Sequence, residues 1–208
     1  MLDTQLIESW SENYVTEPDQ IRAARLTSIE HGIEPITPAM GSFLRSLVAM
    51  TNSKQIVEVG TGLGVSSQWL LAGNEAAHLT TLEKDVDHQQ TAKDLFGEAG
   101  ITTSRVRLIS GEPNEVLARL NEETYDLVVI NSRGKGTMES VKTAIHLVRP
   151  GGVVVVTHVL AGGNVANPTK RDADSVELRT LLGDYAVDEM VTASLVPVGD
   201  GILTLVKK

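Results

Sequence analysis

The chain has 208 residues, 41% of them hydrophobic, which suits one globular domain, and no apolar stretch is long enough to span a bilayer. It contains no cysteine, which excludes disulfides, thiolate metal sites and cysteine nucleophiles. Its formal net charge of −9 argues against a nucleic-acid partner, because phosphate binding relies on clustered Lys and Arg, and favours a small-molecule partner.

The N-terminal region lacks the basic start and apolar run of a signal peptide, which predicts a cytoplasmic protein. Residues 1–50 are predicted to form a helical extension. Its first helix has an apolar face at helical spacing, made of Leu6, Ile7, Trp10 and Tyr14. A second helix is predicted to start with a cap, a proline and acids at 16–19 and to end at Gly32. We expect the extension to pack against a sheet edge or a second subunit.

The third helix is predicted to start at Thr37, where a cap precedes a proline. Its buried stripe consists of Phe43, Leu44, Leu47 and Val48.

From Lys54 onward, strand patterns alternate with helical ones, as a parallel sheet covered by helices on both faces requires. The predicted strands are 56–59, 79–83, 106–109, 127–130 and 153–156, and the four valines of the last indicate burial on both sides. The predicted helices are 65–71, 88–99, 114–120, 138–148 and 174–182. An antiparallel hairpin, 191–196 and 202–206 around a Gly-Asp-Gly turn, is predicted to close the chain. These elements predict one α/β domain over 1–208, with residues 51–208 as its cofactor-binding core.

Three glycines at alternate positions follow the first strand, in the order Glu58-Val59-Gly60-Thr61-Gly62-Leu63-Gly64-Val65-Ser66. Glycine lets the chain turn sharply and approach a ligand closely, and the N–H groups of the next helix point towards the loop. Glu83 ends the second strand roughly 20 residues later, where an acid hydrogen-bonds a ribose diol in nucleotide-binding sheets. The pattern therefore predicts a nucleotide-like cofactor; a plain strand-to-helix turn and a solvated strand end are the alternatives.

The glycine spacing separates two cofactor classes. Dinucleotide-binding loops place the third glycine three positions after the second, whereas here it follows after two, which opposes a nicotinamide-dependent oxidoreductase. An acid two residues before G-x-G-x-G instead resembles the first motif of the class I S-adenosylmethionine-dependent methyltransferases. In that family the loop contacts the methionine part of the cofactor and the carboxylate serves its ammonium end.

Four later segments resemble, in order and spacing, the small O-methyltransferases of the catechol and caffeoyl-CoA type, and most of all their actinobacterial branch. The segments are Ser-Gly-Glu-Pro at 110–113, the strand at 125–130, Leu-Val-Arg-Pro-Gly-Gly at 147–152 and Pro-Val-Gly-Asp-Gly at 197–201. The resemblance runs from about Thr37 to the C-terminus. It implies a Rossmann-like seven-stranded mixed sheet, with an antiparallel strand inserted near one edge, in a homodimer.

The resemblance also implies which residues bind S-adenosyl-L-methionine. They are Ile36, Glu58, Gly60, Thr61, Gly62, Gly64, Ser66, Glu83, Gly111, Glu112, Pro113 and Asn131. Ile36 and Thr37 are minor candidates, because they begin a helix with the family's T-P-x-x-G-x-x-L pattern.

The family's metal ligands are replaced in this chain. Metal-dependent members use an Asp after the fourth strand and an Asp-Asn pair after the fifth, and these positions align with Asn131 and with Thr157-His158. The family's lysine falls on Gly134, next to Lys135. Mg²⁺ is usually held through one or two carboxylates, so we expect no metal. A softer metal on His158 is disfavoured because one imidazole lacks a convincing set of partners.

His158 is the candidate general base, because an imidazole titrates near pH ~6.5 and can accept a hydroxyl proton; the alternative is that it only fills the vacated metal pocket. Asn131 is the second candidate catalytic residue. Arg133 is a candidate for holding an anionic substrate, or a solvated loop residue. Ala161 stands where family members often have an aromatic side chain, which disfavours a planar catechol as acceptor.

Residues 162–172 are predicted to form a loop over the acceptor. The predicted function is O-methyl transfer to a small-molecule hydroxyl without a metal. The alternative is a protein that binds S-adenosylmethionine without transferring its methyl group.

Overall fold

The computed structural model describes residues 4–131 and 135–208. Within these residues the chain forms seven β-strands, eight α-helices and one 3₁₀ segment. The strands are β1 Gln55–Val59, β2 His78–Glu83, β3 Val106–Ser110, β4 Tyr125–Ile130, β5 Val148–Thr157, β6 Val191–Val196 and β7 Ile202–Lys207. The helices are α1 Thr4–Glu12, α2 Asp19–Glu30, α3 Pro38–Thr51, α4 Val65–Leu71, α5 Val86–Glu98, α6 Pro113–Leu117, α7 Thr137–Leu147 and α8 Ala173–Ala186, and the 3₁₀ segment is Ala161–Ala166.

The strands form one sheet in the order β3-β2-β1-β4-β5-β7-β6. β1 to β5 run parallel, and β7 is inserted antiparallel between β5 and β6. This topology confirms the predicted mixed sheet with its C-terminal hairpin. The carboxyl ends of β1, β2, β4 and β5 meet at one edge, where Val59 pairs with Leu82 and Ile130, and Ile130 pairs with Val156. Residues that follow these strands are therefore brought together, as in other open α/β sheets.

Each face of the sheet is covered by helices. Ile56, Leu127 and Val155 lie in a core shared with Leu44 of α3 and Trp69 of α4. Strand neighbours that point the opposite way lie in a second core with residues of α6, α7 and α8, as alternation along a strand requires. Residues Val153–Val156 are all buried, which confirms the prediction of a strand covered on both faces. Each fully buried large apolar side chain contributes about 1.5–3 kcal/mol.

Several element ends differ from the predicted ones. β5 begins at Val148 rather than at residue 153, because Val148 pairs with Tyr125. The register then shifts, and regular pairing continues from Leu127 and Val153. The glycines between Val148 and Val153 interrupt the strand pattern, so the sequence did not indicate the earlier start of β5. α8 runs to Ala186, beyond the predicted end, and α6 stops at Leu117.

The predicted helix caps in the N-terminal extension are only partly confirmed by the structure. Thr37 caps α3 as predicted, since its Oγ1 accepts a hydrogen bond from the Met40 N–H at 3.2 Å. α2 instead begins after Pro18, with no side-chain cap. Glu12 of α1 adds a second cap to α3, because its carboxylate accepts from the Thr37 hydroxyl at 2.8 Å and the Ala39 N–H at 3.0 Å. The first helix is thus tied to the start of the third.

The apolar face of the first segment does not pack against the sheet of this chain. Its residues Leu6, Ile7, Trp10 and Tyr14 are 50–73% exposed. The extension as a whole was predicted to pack against a sheet edge or a second subunit, and for this exposed face a second subunit remains a prediction. Across residues 4–131 and 135–208, no helix combines the length and the apolar character needed to cross a membrane.

Candidate active site

The glycine loop between β1 and α4 is fixed by its backbone geometry. Gly60, Gly62 and Gly64 all have positive φ, at 87°, 52° and 85°, a region that favours glycine. The N–H groups of Gly60 and Thr61 donate to the Leu82 carbonyl at 2.9 and 3.1 Å. These bonds hold the loop at the end of β2 and turn it towards the carboxyl edge of the sheet.

A cavity of about 200 Å³ lies beside this loop. Most of the predicted site residues line it, namely Ile36, Gly60, Thr61, Gly62, Ser66, Glu83, Asn131 and His158. The sequence did not single out Glu34, Pro35 and His88, which also line this cavity. We call this the cofactor cavity.

Glu83 holds the glycine loop as well as lining the cavity. One of its carboxylate oxygens accepts from the Gly62 N–H at 2.8 Å and the other from the Asp85 N–H at 3.1 Å. A carboxylate oxygen has two lone pairs, so each oxygen can accept one further hydrogen bond. The side chain is therefore both oriented and able to receive hydroxyl donors from the cavity.

Glu58 lies behind the cavity wall rather than in it. It is fully buried and accepts hydrogen bonds from the hydroxyls of Ser66 at 2.5 Å, of Ser67, and of Thr81 at 2.7 Å. Burial raises the pKa of the Glu58 carboxyl above its ordinary value, and these hydrogen bonds counteract part of the rise. Glu58 can therefore act on the predicted cofactor only indirectly, through neighbours that line the cavity, such as Ser66.

Gly64 has a packing role in this structure. It forms the N-cap of α4, and a Cβ atom placed on it would lie 2.5 Å from the ring of Phe96. The third glycine thus allows α5 to pack closely against the loop, as the last glycine does in dinucleotide-binding loops.

Two residues of the predicted segment 111–113 line an adjoining cavity of about 600 Å³. Glu112 and Pro113 line it together with Gly60 and Glu83, which also line the cofactor cavity. Gly111 has a φ of 147°, and its N–H donates to the Glu83 carbonyl at 3.3 Å. The two cavities therefore meet along the glycine loop.

Two of the positions aligned with the family's metal ligands, Asn131 and Thr157, hydrogen-bond to each other, and Asn131 also bonds Glu58. The Asn131 side-chain amide donates to Glu58 at 3.0 Å and to the Ser66 hydroxyl at 2.9 Å, and it accepts from the Thr157 hydroxyl at 3.1 Å. In the described part of the chain, no group of three or more His, Asp or Glu side chains could hold a metal ion. Arg133 and Gly134, named above, lie outside the described residues.

A larger cavity, of about 1050 Å³, shares Glu34 and His158 with the cofactor cavity. Its wall comes from α1, α2, the end of β5, the 3₁₀ segment, α8 and the turn between β6 and β7. Ala161, Gly162 and Gly163 line it, in line with the predicted loop over the acceptor. We call this the acceptor cavity.

His158 stands between the two cavities. It follows β5 directly, its side chain is 5% exposed, and its φ of 58° is uncommon for a residue other than glycine. Its Nδ1 lies 3.8 Å from Oδ2 of Asp200, which the sequence placed in the hairpin turn without assigning it to the site. Nothing in the local sequence marks this proximity, because it depends on how β7 pairs with β5.

A family model described as O-methyltransferase matches residues 13–208. A protein named as an O-methyltransferase from Mycobacteroides abscessus is 42% identical over 196 residues, which cover 94% of this chain and 91% of the relative. A relative of the same name from Mycobacterium avium is 42% identical over 198 residues, covering 95% of this chain and 89% of the relative.

Solved structures give the same picture. A protein from Corynebacterium glutamicum superposes with a TM-score of 0.90 at 26% identity, covering 98% of this chain and 96% of the other. The O-methyltransferase TomG from Streptomyces achromogenes, which is involved in tomaymycin synthesis and was solved in complex with S-adenosylmethionine, superposes with a TM-score of 0.86 at 26% identity over the full length of both chains.

Proposed function

This chain belongs to the O-methyltransferase family, and we propose that it transfers a methyl group from S-adenosylmethionine to a small-molecule hydroxyl without a divalent cation. The family, fold and enzyme class predicted from the glycine loop and the later motifs are confirmed. The observation that carries the rest of the proposal is the position of His158, which lines both the cofactor cavity and the acceptor cavity.

The residues of the cofactor cavity fit the proposed methyl donor. When bound, S-adenosylmethionine supplies a methyl group on an electrophilic sulfonium. The glycine backbone permits close approach, and the Glu83 carboxylate has lone pairs left for the two hydroxyls of a ribose. Ser66 and Asn131 offer polar groups in the same wall. The Streptomyces neighbour that binds this cofactor shares the fold over its full length, which supports the assignment.

Proton removal is the task left to the protein, together with alignment of the acceptor. His158 accepts the proton of the acceptor hydroxyl. The deprotonated acceptor oxygen would then take the methyl group that bound S-adenosylmethionine supplies, with S-adenosylhomocysteine as the leaving group. The imidazolium afterwards loses its proton to water.

The donor set at the family's metal position supports a reaction without a divalent cation. Asn131 brings no charge there, and its amide already bonds Glu58, Ser66 and Thr157. Mg²⁺ is usually held through carboxylates, and neither an amide nor a hydroxyl supplies the missing charge.

Calorimetry on metal-stripped protein tests the cofactor and the metal together. We expect S-adenosylhomocysteine to bind with micromolar affinity, about −8 kcal/mol, equally with and without Mg²⁺, and NAD to show no binding. Tighter binding of S-adenosylhomocysteine in the presence of Mg²⁺ would contradict the proposed metal independence. Binding of NAD but not of S-adenosylhomocysteine would contradict the assignment of S-adenosylmethionine as the cofactor.

The role of His158 is tested by methyl transfer in the presence of EDTA, with a panel of small hydroxyl compounds and mass spectrometry of the S-adenosylhomocysteine formed. We expect His158→Ala to lower kcat by about 10²–10⁴-fold, the usual contribution of a general base, and to leave S-adenosylhomocysteine affinity within about twofold. His146→Ala, on the exposed side of α7, is the matched control. Equal rates for the two variants would remove His158 as the base.

A protein that binds the cofactor without transferring the methyl group is the second candidate. Its support is the contrast between the intact glycine loop and the altered residues Asn131, Thr157, His158 and Ala161. This candidate predicts tight S-adenosylhomocysteine binding with no product from any hydroxyl compound, whereas the first predicts product from at least one.

We also propose a homodimer formed through the exposed apolar face of the first segment. Trp10 and Tyr14 are 68% and 73% exposed, and their ring centroids lie 5.7 Å apart. Sedimentation should give a dimer for the native chain and a monomer for Trp10→Glu; a monomeric native chain would contradict the proposal. Residence in the cytoplasm and the absence of a nucleic-acid partner remain predictions from the sequence.

A further inference from the structure

We propose that Asp200 is a positioning residue for His158, so that a carboxylate and an imidazole form a dyad at the wall between the two cavities. This inference rests on the proposed function, because it assigns a partner to the proposed base. Its starting point is the 3.8 Å distance between His158 Nδ1 and Asp200 Oδ2.

The turn that carries Asp200 is anchored to the segment that carries His158. The Val159 N–H donates to the Gly201 carbonyl at 3.3 Å, and the Leu160 N–H donates to the Asp200 carbonyl at 2.9 Å. A Cβ atom on Gly201 would lie 2.5 Å from Cγ of Leu160, so the two segments are also in close contact. The backbone therefore fixes the carboxylate relative to the imidazole.

The two oxygens of the Asp200 carboxylate have different tasks. Oδ1 accepts from the Gly162 N–H at 2.6 Å, which fixes the rotation of the side chain. Oδ2 is then the oxygen that faces Nδ1. At 3.8 Å the contact is longer than a hydrogen bond. Catalytic hydrogen bonds are often long in a ligand-free site and shorten in the reactive complex.

The backbone of His158 supports the same interpretation. A left-handed φ in a non-glycine residue is strained and tends to be retained at functional sites. Here it turns a buried side chain out of the sheet edge, beside both cavities.

A carboxylate at Nδ1 selects the tautomer that the reaction needs. It favours a proton on Nδ1, which makes Nε2 the nitrogen that accepts the proton of the acceptor hydroxyl. After that transfer the imidazolium carries one positive charge, which the Asp200 carboxylate stabilises while remaining ionised. The proton then passes from Nε2 to water, and the dyad returns to its starting state.

Other charged groups also line the acceptor cavity and contribute to the electrostatic environment of His158 and Asp200. They are Glu8 and Glu12 of α1, Arg25 of α2, Glu34 before α3 and Asp174 of α8. Arg25 is paired with Glu17 at 2.6 Å and also donates to the Ile36 carbonyl, and Glu12 caps α3. Asp174 lines the same cavity from the first turn of α8, which makes Asp174→Asn a matched control.

The test compares Asp200→Asn with Asp174→Asn. The asparagine at 200 keeps an oxygen for the Gly162 N–H and removes the charge opposite Nδ1, where its NH₂ group would favour the other tautomer. Nitrogen-15 NMR of the imidazoles should show the His158 proton moving from Nδ1 to Nε2 in Asp200→Asn and staying in place in Asp174→Asn. This readout needs no acceptor. An unchanged tautomer in Asp200→Asn would overturn the dyad.

Kinetics give a second, independent readout. We expect Asp200→Asn to lower kcat by about 10–10³-fold with KM and S-adenosylhomocysteine affinity within about threefold, and Asp200→Glu to recover part of the loss. In a His158→Ala background, Asp200→Asn should have no further effect on kcat, because the two residues act as a unit. Equal losses in both backgrounds would assign Asp200 a merely structural role. If His158→Ala itself leaves kcat unchanged, the proposed base fails; if only Asp200→Asn leaves it unchanged, the dyad alone fails.

Discussion

The two cavities that meet at Glu34 and His158 are built in different ways. The largest share of the wall of the cofactor cavity comes from one continuous stretch, in which β1, the glycine loop, α4 and β2 follow one another. The acceptor cavity is assembled from segments as distant as Glu8 of α1 and Asp200 of the last turn. A local unit keeps its spacing in the sequence, whereas an assembly of distant segments changes whenever one segment changes. The binding of a common cofactor and the choice of a particular acceptor are thus separated in the chain.

The polar interactions of the two regions differ as well. Around the cofactor cavity, Glu58 and Glu83 have partners for all four carboxylate oxygens, from side chains and from the glycine loop. The wall of the acceptor cavity instead contains consecutive residues with positive φ, Ala161, Gly162 and Gly163. The first arrangement is rigid because each group restrains another. In the second, only Ala161 is strained, because glycine adopts a positive φ without a steric penalty.

Gly64→Ala should give the largest effect, because it disrupts the continuous unit. Alanine at a φ of 85° costs about 1–2 kcal/mol, and its methyl group would lie 2.5 Å from Phe96, which adds about 1–3 kcal/mol of overpacking. We expect a loss of about 2–5 kcal/mol in urea unfolding. The control is Gly97→Ala, on the same helix as Phe96, where a Cβ atom meets nothing within 4 Å. A Gly64→Ala protein as stable as the control would show that the loop is not held as described.

Glu83→Gln should weaken cofactor binding without unfolding the protein. Glutamine has one oxygen, so it cannot accept from both the Gly62 and the Asp85 N–H groups and also receive a ribose hydroxyl. Hydrogen bonds to a charged group contribute about 1.5–3 kcal/mol, so the affinity for S-adenosylhomocysteine should fall about 10–100-fold in calorimetry. Glu98→Gln, exposed at the end of α5, is the control and should bind like the native chain. Native affinity in Glu83→Gln would remove Glu83 from the cofactor site.

Glu58→Gln should change how the stability of the cofactor region depends on pH. Because burial raises the pKa of Glu58, the folded state holds its proton to higher pH than the unfolded chain does. The stability that this proton uptake contributes is present below the unfolded pKa and is lost as the pH rises through the raised value. Glutamine has no such dependence, so the stability of Glu58→Gln relative to the native chain should rise with pH in urea titrations between pH 5 and 8. A constant difference would mean that the Glu58 carboxyl is not perturbed in the fold.

The same contrast explains what could be predicted from the sequence. The strands, the helices and the glycine loop follow from apolar runs and glycine spacing, which are local signals, whereas the mixed sheet with its inserted antiparallel strand was implied by the family resemblance. The partners of Glu58 were not predictable, because Thr81 reaches it only through the register of β1 on β2. Asp200 and Glu34 were missed for the same reason, since loops far apart in sequence carry them to His158. Val148 was missed as the start of β5 because a shift in register interrupts the strand.

Ala161→Gly should give the smallest effect and tests the acceptor wall alone. Ala161 has a φ of 49°, a conformation that glycine adopts without the Cβ penalty of about 1–2 kcal/mol. Glycine also makes the unfolded chain more flexible, which costs about 0.4–1 kcal/mol, so the net gain should lie between about 0 and 1.6 kcal/mol. The melting temperature should rise by about 2–4 °C for each kcal/mol gained, with the affinity for S-adenosylhomocysteine unchanged. Ala166→Gly, in the same 3₁₀ segment but without a positive φ, should lower the melting temperature instead. If Ala161→Gly altered cofactor affinity, the two cavities would be coupled through this segment, and the separation between the cofactor and acceptor regions would not hold.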